Sequence, residues 1–202
     1  MEIAIVILAA GSSSRMGKAK QLLPWGELTL IEHSIRQAIL VKSASVYVVL
    51  GALRKSIEQS ILTSPVKIIH NPVWENGIGS SISVVMDELI TQKFDAVLLM
   101  LADQPEVDTD YLNKMIYNFK NSPKDIVATA YSSKNGVPAM FHQTYFSALQ
   151  KLNIDSGAAQ IIKLNNEATL SLKPKKYFTD IDTIETYKAL HKSFFSDDKY
   201  TK

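Results

Sequence analysis

Cysteine is absent from the 202 residues, which excludes disulfides and every metal centre built on thiolates. That absence fits a reducing cytoplasm, the compartment expected for this chain. No charge sign dominates: 22 Lys and Arg stand against 20 Asp and Glu, a net charge of +2. So even a balance gives no general attraction to nucleic acid or acidic membranes, and neither is expected as a partner. The N-terminal run "AIVILAA" falls well short of the roughly 20 apolar residues of a membrane helix, and no basic leader precedes it. The four histidines show no metal-ligand spacing. There is no G-x-S-x-G elbow, which removes the usual hydrolase reading of an α/β chain. Internal repeats and low-complexity linkers are missing too.

What is present suits one domain over residues 1–192, followed by a polar tail over 193–202. Ile3–Ala9, Val46–Leu50 and Ala96–Ala102 are almost continuously apolar. Strands covered by helices on both faces have this character. Between them lie segments with helical spacing. Thr29 and Glu32 form a capping-box pattern ahead of Ile31, Ile35, Ala38 and Ile39. Ile82, Val85, Met86 and Leu89 mark a second apolar face, and Leu112, Met115, Ile116 and Phe119 a third. Strand alternating with helix predicts an open, doubly wound α/β sheet. Val66–His70, Ile126–Tyr131 and Ala168–Leu172 read as further strands, and Ile184–His191 as a last helix. Asn135-Gly136 reads as the turn of a hairpin. The C-terminal strands are expected to join the sheet as antiparallel additions.

In such a sheet ligands sit beyond the carboxyl ends of the strands, where the first loop, "LAAGSSSRMGKAKQLL", stands out. It is not a Walker A loop, because five residues separate Gly11 from Gly17 and Ala19 follows Lys18. It is not a dinucleotide fingerprint either, since Ser13 stands where the second glycine belongs. Small residues would let backbone N–H groups approach an anion, with Arg15, Lys18 and Lys20 supplying charge. The competing reading is a tight turn with a solvated basic rim.

Asp103 in "LADQP" directly follows an apolar strand, so it either holds a hard cation such as Mg²⁺ or turns the chain before Pro105. In "DIDT", Asp180 and Asp182 either complete a metal site or leave Asp182 or Thr183 to cap the last helix. In "NPVWENGIGSSIS", Gly77 and Gly79 permit close backbone approach, and Ser80 or Ser81 caps a helix or meets a ligand. Trp25 and Trp74 read as core or rim packing. Together, an anion loop facing an Asp that can hold Mg²⁺ suits a nucleoside triphosphate.

The ordered set "LAAGSSSRMGKAKQLLPW", "NPVWENGIGSSI", "LADQP", "GVPAMF", "DSGAAQII" and "DIDT" resembles the MobA-like NTP transferases over nearly the whole chain. Within them it looks most like the molybdenum cofactor cytidylyltransferases. The resemblance implies a Rossmann-like open mixed sheet of the nucleotide-diphospho-sugar transferase type. It implies transfer of a nucleotidyl group from an NTP to an acceptor phosphate, with release of pyrophosphate. On that resemblance, Leu8, Ala9, Ala10 and Gly11 line the nucleotide, and Gly79 and Ser80 lie near the base. Arg15 and Lys20 neutralise the triphosphate, Asp103 binds Mg²⁺, and Asp182, in preference to Asp180, is the second metal ligand. "GVPAMF" and "DSGAAQ" border the acceptor pocket. Ala10 stands where guanylyl-transferring relatives tend to have Gly, which implies CTP rather than GTP. The implied acceptor is the molybdopterin cofactor, and the implied partner a molybdenum hydroxylase apoenzyme. Two departures are Ala19, where many relatives have Pro, and Gln160, where cytidylyltransferase relatives often have Arg. The second removes a cation from the acceptor side and keeps alive a rival reading as a non-catalytic accessory protein for hydroxylase maturation.

Overall fold

The computed structural model describes residues 1–13, 16–17, 19–152 and 157–196. Strand β1 (Ile3–Leu8) is followed by a small hairpin, β2 (Pro24–Trp25) and β3 (Leu28–Thr29), and by helix α1 (Leu30–Ile39). Then come β4 (Ala44–Leu50), α2 (Arg54–Ser60), β5 (Lys67–His70), α3 (Ile78–Thr91), β6 (Ala96–Leu101) and α4 (Thr109–Asn121). The C-terminal part adds β7 (Ile126–Ala130), β8 (Asn135–His142), α5 (Phe146–Gln150), α6 (Ala158–Leu164), β9 (Thr169–Leu172) and α7 (Ile184–Phe195).

Seven strands make one sheet in the order β5-β4-β1-β6-β8-β7-β9. Strands β5, β4, β1 and β6 pair in parallel. Strand β8 runs antiparallel to both β6 and β7, and β9 is again parallel to β7. The expectation of antiparallel additions therefore holds for β8 alone. The apolar runs are buried on both sides because their alternate residues serve two cores. Ile3, Ile5 and Ile7 face α1, α2 and α4, whereas Ala4, Val6 and Leu8 face α3, α5 and α6. Residues one apart on a strand point to opposite faces, so a strand buried on both faces must be apolar throughout.

Local signals act as expected at α1, where Thr29 and Glu32 form the reciprocal capping box. Two boundaries differ from expectation. The β7–β8 turn spans residues 131–134, closed by Tyr131 N–H donating to the Lys134 carbonyl at 2.9 Å. Asn135 and Gly136 are instead the first residues of β8, paired with Ala130 and Thr129 across a bulge. Neither adopts the positive φ that an Asn-Gly turn requires. Helix α7 continues to Phe195, beyond Ser193 where the polar tail is expected to begin. The rings of Phe194 and Phe195 pack on the buried Trp25, with centroids 5.0 and 5.5 Å away. Among the described residues no helix is long and apolar enough to cross a membrane.

Candidate active site

Strand order reverses beside β1: the chain moves out to β4 and β5, then returns to place β6 on the other side of β1. A reversal of this kind opens a crevice at the carboxyl ends of the two strands. Leu8 lies opposite Leu101, so the segments Ala9–Gly11 and Ala102–Asp103 leave the sheet side by side. They line a cavity of about 230 Å³ together with Leu8, Lys20, Trp74, Gly77, Ile78 and Ser81. Of the residues expected to bind nucleotide, Leu8, Ala9, Ala10 and Gly11 line it, as do Lys20 and Asp103.

The loop after β1 is held from behind. Ala9 N–H donates to the Val49 carbonyl, and Ala52 N–H to that of Ala10, each at 3.0 Å. Gln21, only 3% exposed, donates from Nε2 to the carbonyls of Ala9 (3.1 Å) and Gly11 (2.9 Å). Its Oε1 accepts from the Ser13 hydroxyl at 3.2 Å. The Ser13 oxygen in turn accepts the backbone N–H of Lys20. Gln21 is thus a clip inside the loop, and nothing in its spacing from Gly11 announces this. A Cβ placed on Gly11 would find no atom of the other described residues within 4 Å beyond its chain neighbours, so among them the missing side chain leaves room on the cavity side rather than solving a packing problem. Arg15 and Lys18, two of the three expected cations, lie outside the described residues.

Lys20 is the third. Its Nζ donates to Asp103 Oδ2 at 2.5 Å and to Asp182 Oδ1 at 3.0 Å. Burial alone would lower the lysine, but the charge and hydrogen bond of Asp103, and then those of Asp182, outweigh it and hold the ammonium above its ordinary range. Burial pushes the Asp103 carboxyl up, partly offset by Lys20, and the neighbouring Asp180 and Asp182 add to the rise. Asp103 Oδ1 is buried with no hydrogen-bond partner among the described residues.

The "DIDT" segment is pinned to this centre. Ile181, fully buried against Trp25 and Leu30, donates its N–H to the Asp103 carbonyl at 3.0 Å. Asp180 accepts from Gln104 Nε2 at 2.7 Å, and the same nitrogen reaches Tyr131 OH at 3.2 Å. Tyr131 OH donates to the Val137 carbonyl, which ties "LADQP" to the start of "GVPAMF". The Tyr131 phenol is pushed up by burial, and its acceptance of the Gln104 hydrogen bond offsets part of that rise. Thr183 caps α7 by accepting the Thr186 N–H. That leaves Asp182 to Lys20 and Asp180 to Gln104.

The third segment arranges itself differently from its pattern. Gly77, with φ of 84°, is the N-cap of α3, and no side chain caps that helix. Ser80 is buried and donates to the carbonyls of Gly77 (2.7 Å) and Val73 (3.2 Å). Gly79 lies buried beside it, and neither is among the residues lining the cavity. Ser81 lines the cavity instead, its oxygen accepting from the fully buried Asn71 at 2.9 Å. Which of two adjacent serines faces a ligand depends on helix phase, and the pattern of small residues does not carry it. Of "DSGAAQ", residues 153–156 lie outside the described set. Gly157 abuts Ile78, whose Cγ2 would stand 3.1 Å from an added Cβ.

No group of three or more His, Cys, Asp or Glu able to hold a metal occurs among the described residues. The donors at the crevice are two carboxylates, one with an unused oxygen. Such a set fits a hard divalent cation whose remaining ligands are waters and phosphate oxygens, the usual habit of Mg²⁺.

Fold and site together define a Rossmann-like α/β protein with a small, loop-lined crevice flanked by carboxylates and a lysine. The MobA-like NTP transferase domain matches residues 5–170, and the chain belongs to this family of nucleotidyltransferases. It is 28% identical over 197 residues to the purine catabolism protein PucB of Bacillus subtilis (strain 168), covering 90% of this chain and 92% of that one. It is 25% identical over 186 residues to the molybdenum cofactor cytidylyltransferase of Escherichia coli (strain K12), again covering 90% and 92%. The crystal structure of Rv0371c from Mycobacterium tuberculosis H37Rv in complex with manganese matches with a TM-score of 0.81 at 23% identity, over 96% of this chain and 100% of that one. The fold is the open mixed sheet of the nucleotide-diphospho-sugar transferase type.

Proposed function

We propose that the protein moves a CMP group from CTP to a phosphate-bearing acceptor, with the molybdopterin cofactor the foremost acceptor, and releases pyrophosphate. The observation that carries this reading is the cluster of Lys20, Asp103 and Asp182 at the β1/β6 crevice. Similarity to the cytidylyltransferase of Escherichia coli supports it. Two anions must meet in this reaction, so positioning and charge neutralisation dominate its barrier. A divalent cation held by Asp103 and Asp182, Mg²⁺ in the first place, supplies positive charge to the α-phosphate when bound.

The chain's own groups do the rest. Backbone of the Ala9–Gly11 loop, held by Gln21, cradles the triphosphate. Lys20 and Arg15 balance the charge that builds on the departing pyrophosphate. The methyl group of Ala10 takes up space in the base pocket, which favours CTP over GTP. Leu8, Trp74 and Ile78 give the crevice apolar walls, which limit the water that would compete with the acceptor. The acceptor phosphate is already ionised at neutral pH and needs no general base. A cytoplasmic molybdenum hydroxylase apoenzyme is the expected recipient of the product.

Two observations favour a second reading, in which the protein assists hydroxylase maturation without turnover. PucB is as similar as the cytidylyltransferase, and Gln160 is an exposed residue of α6 where an acceptor-side cation is expected. Incubation with labelled CTP or GTP, Mg²⁺ or Mn²⁺ and candidate acceptors separates the two readings. Pyrophosphate release with CTP and a phosphate acceptor is the expected result. Nucleotide binding without release for any acceptor would establish the accessory role.

A further inference from the structure

The contacts of Lys20 raise a question that its proposed role in charge balance leaves open. An ammonium held at 2.5 Å from Asp103 and 3.0 Å from Asp182 has its charge satisfied by protein. It is then poorly placed to serve a triphosphate as well. A divalent cation drawn to the same two carboxylates needs the lone pairs that Lys20 now occupies, and two cations so close repel. The two cannot share the place.

We propose that Lys20 is a stand-in: its ammonium occupies the divalent-cation place between Asp103 and Asp182, and it leaves that place for the nucleotide crevice when the cation arrives. The inference rests on the reading that these carboxylates hold a divalent cation. Three further observations support it. Asp103 Oδ1 is unpartnered among the described residues, so Lys20 satisfies only one oxygen of a carboxylate that a divalent cation in its place could engage through both. Lys20 also lines the same cavity as Ala9, Ala10 and Gly11, and its flexible four-carbon stem lets the ammonium turn toward that loop without moving the backbone. Finally, Asp180 adds its negative charge to those of Asp103 and Asp182, so among the described residues here the carboxylates outnumber the Lys20 ammonium and favour a cation of higher charge. Its arrival frees the lysine that the nucleotide needs. Without the stand-in, two unpaired carboxylates would face each other in a partly buried site, an arrangement that like-charge repulsion disfavours.

Nucleotide-free protein and Mn²⁺ alone test this, with free Mn²⁺ read by its electron paramagnetic resonance signal. Lys20→Ala, and Lys20→Met with most of the stem retained, are expected to bind Mn²⁺ about tenfold more tightly than wild type, because no resident cation has to be displaced. Asp182→Asn in the Lys20→Ala background is expected to remove that gain. Equal or weaker Mn²⁺ binding by both well-folded lysine variants would overturn the proposal. The wild type supplies an independent reading should the variants fail to fold. Acetylation of Lys20 by an N-hydroxysuccinimide ester, followed by mass spectrometry, is expected to accelerate when Mn²⁺ is added, and an unchanged rate overturns the proposal. Neither measurement involves turnover. A protein that never transfers a nucleotidyl group can still show the exchange, and an active enzyme can fail to.

Discussion

Asp103 carries a largely buried carboxylate whose Oδ2 is taken by Lys20 and whose Oδ1 has no partner among the described residues. Burial holds its pKa above the ordinary value despite Lys20, so the folded state takes up this proton more readily than the unfolded chain. Burial of the ionised Asp103 costs stability, and its contact with Lys20 returns part of it by holding the ammonium above its ordinary range. Asp103→Asn keeps the shape and an oxygen but loses the charge. We expect a melting temperature close to wild type, because relief of the buried charge and loss of the Lys20 ion pair oppose each other, and nucleotidyl transfer reduced by about 100-fold or more. A variant as active as wild type at saturating divalent cation would return Asp103 to the role of turn residue. Gly11 gives the complementary case. Chain neighbours aside, no atom of the described residues lies within 4 Å of a Cβ added there, so Gly11→Ala should melt with the wild type. The new methyl enters the space proposed for the nucleotide, and KM for the NTP should rise by roughly tenfold. Thermal melts beside steady-state kinetics check both halves. The residue types at both positions are legible in the sequence, whereas the unpaired oxygen and the empty space are not, because each depends on neighbours distant in the chain.

Elements are tied to the crevice by contacts that local patterns do not announce. Helix α1 is predictable from its capping box and apolar spacing, yet its His33 also donates from Nε2 to the Pro105 carbonyl at 3.0 Å, just beyond Asp103. Burial lowers the His33 pKa from 6.5; the Pro105 hydrogen bond opposes this and Arg36 adds to it. The unfolded chain therefore binds the imidazole proton more readily than the folded one. This contribution to stability is complete above pH 6.5 and is lost as pH falls through the lower folded value. Urea unfolding at a series of pH values should show stability declining below pH 6.5, with a shallower decline for His33→Gln, which keeps a donor but does not titrate. Parallel slopes for the two proteins would remove His33 from the acid response. Helix α7 shows the opposite relation between pattern and packing. Its start at Thr183 is readable as a cap. Its end is set by Trp25, some 170 residues earlier, which gathers Phe194 and Phe195 onto one surface.

At the scale of the whole molecule, the site exists because three chain segments converge behind the β1 loop. Gly51, at the end of β4, is the point of closest approach. A Cβ there would stand 2.7 Å from the Ala10 carbonyl oxygen and would also collide with the Trp74 side chain. Gly51→Ala should destabilise the protein by about 1–3 kcal/mol and weaken NTP binding at the same time, since relief requires Ala10 or Trp74 to move. Chemical denaturation together with nucleotide titration reads both effects, and a variant of full stability would show that the backbone yields freely there. Much of this molecule is written in short stretches of sequence. The unbroken apolar runs dictate doubly covered strands, their alternation with helical spacing dictates an α/β sheet, and the Gly-Ser pattern dictates a loop of small residues after β1. Those features follow from side-chain periodicity and steric freedom, which act over a few residues. The tertiary structure alone decided the turn ahead of Asn135, the parallel course of β7 and β9, and the placing of Ser81 rather than Ser80 at the cavity. It also decided that Asp182 meets Lys20 while Asp180 meets Gln104. Strand direction, register and helix phase are settled by how whole faces bury against one another, and a pair such as Lys20 and Asp182, 162 positions apart, meets only when the sheet has brought its ends together.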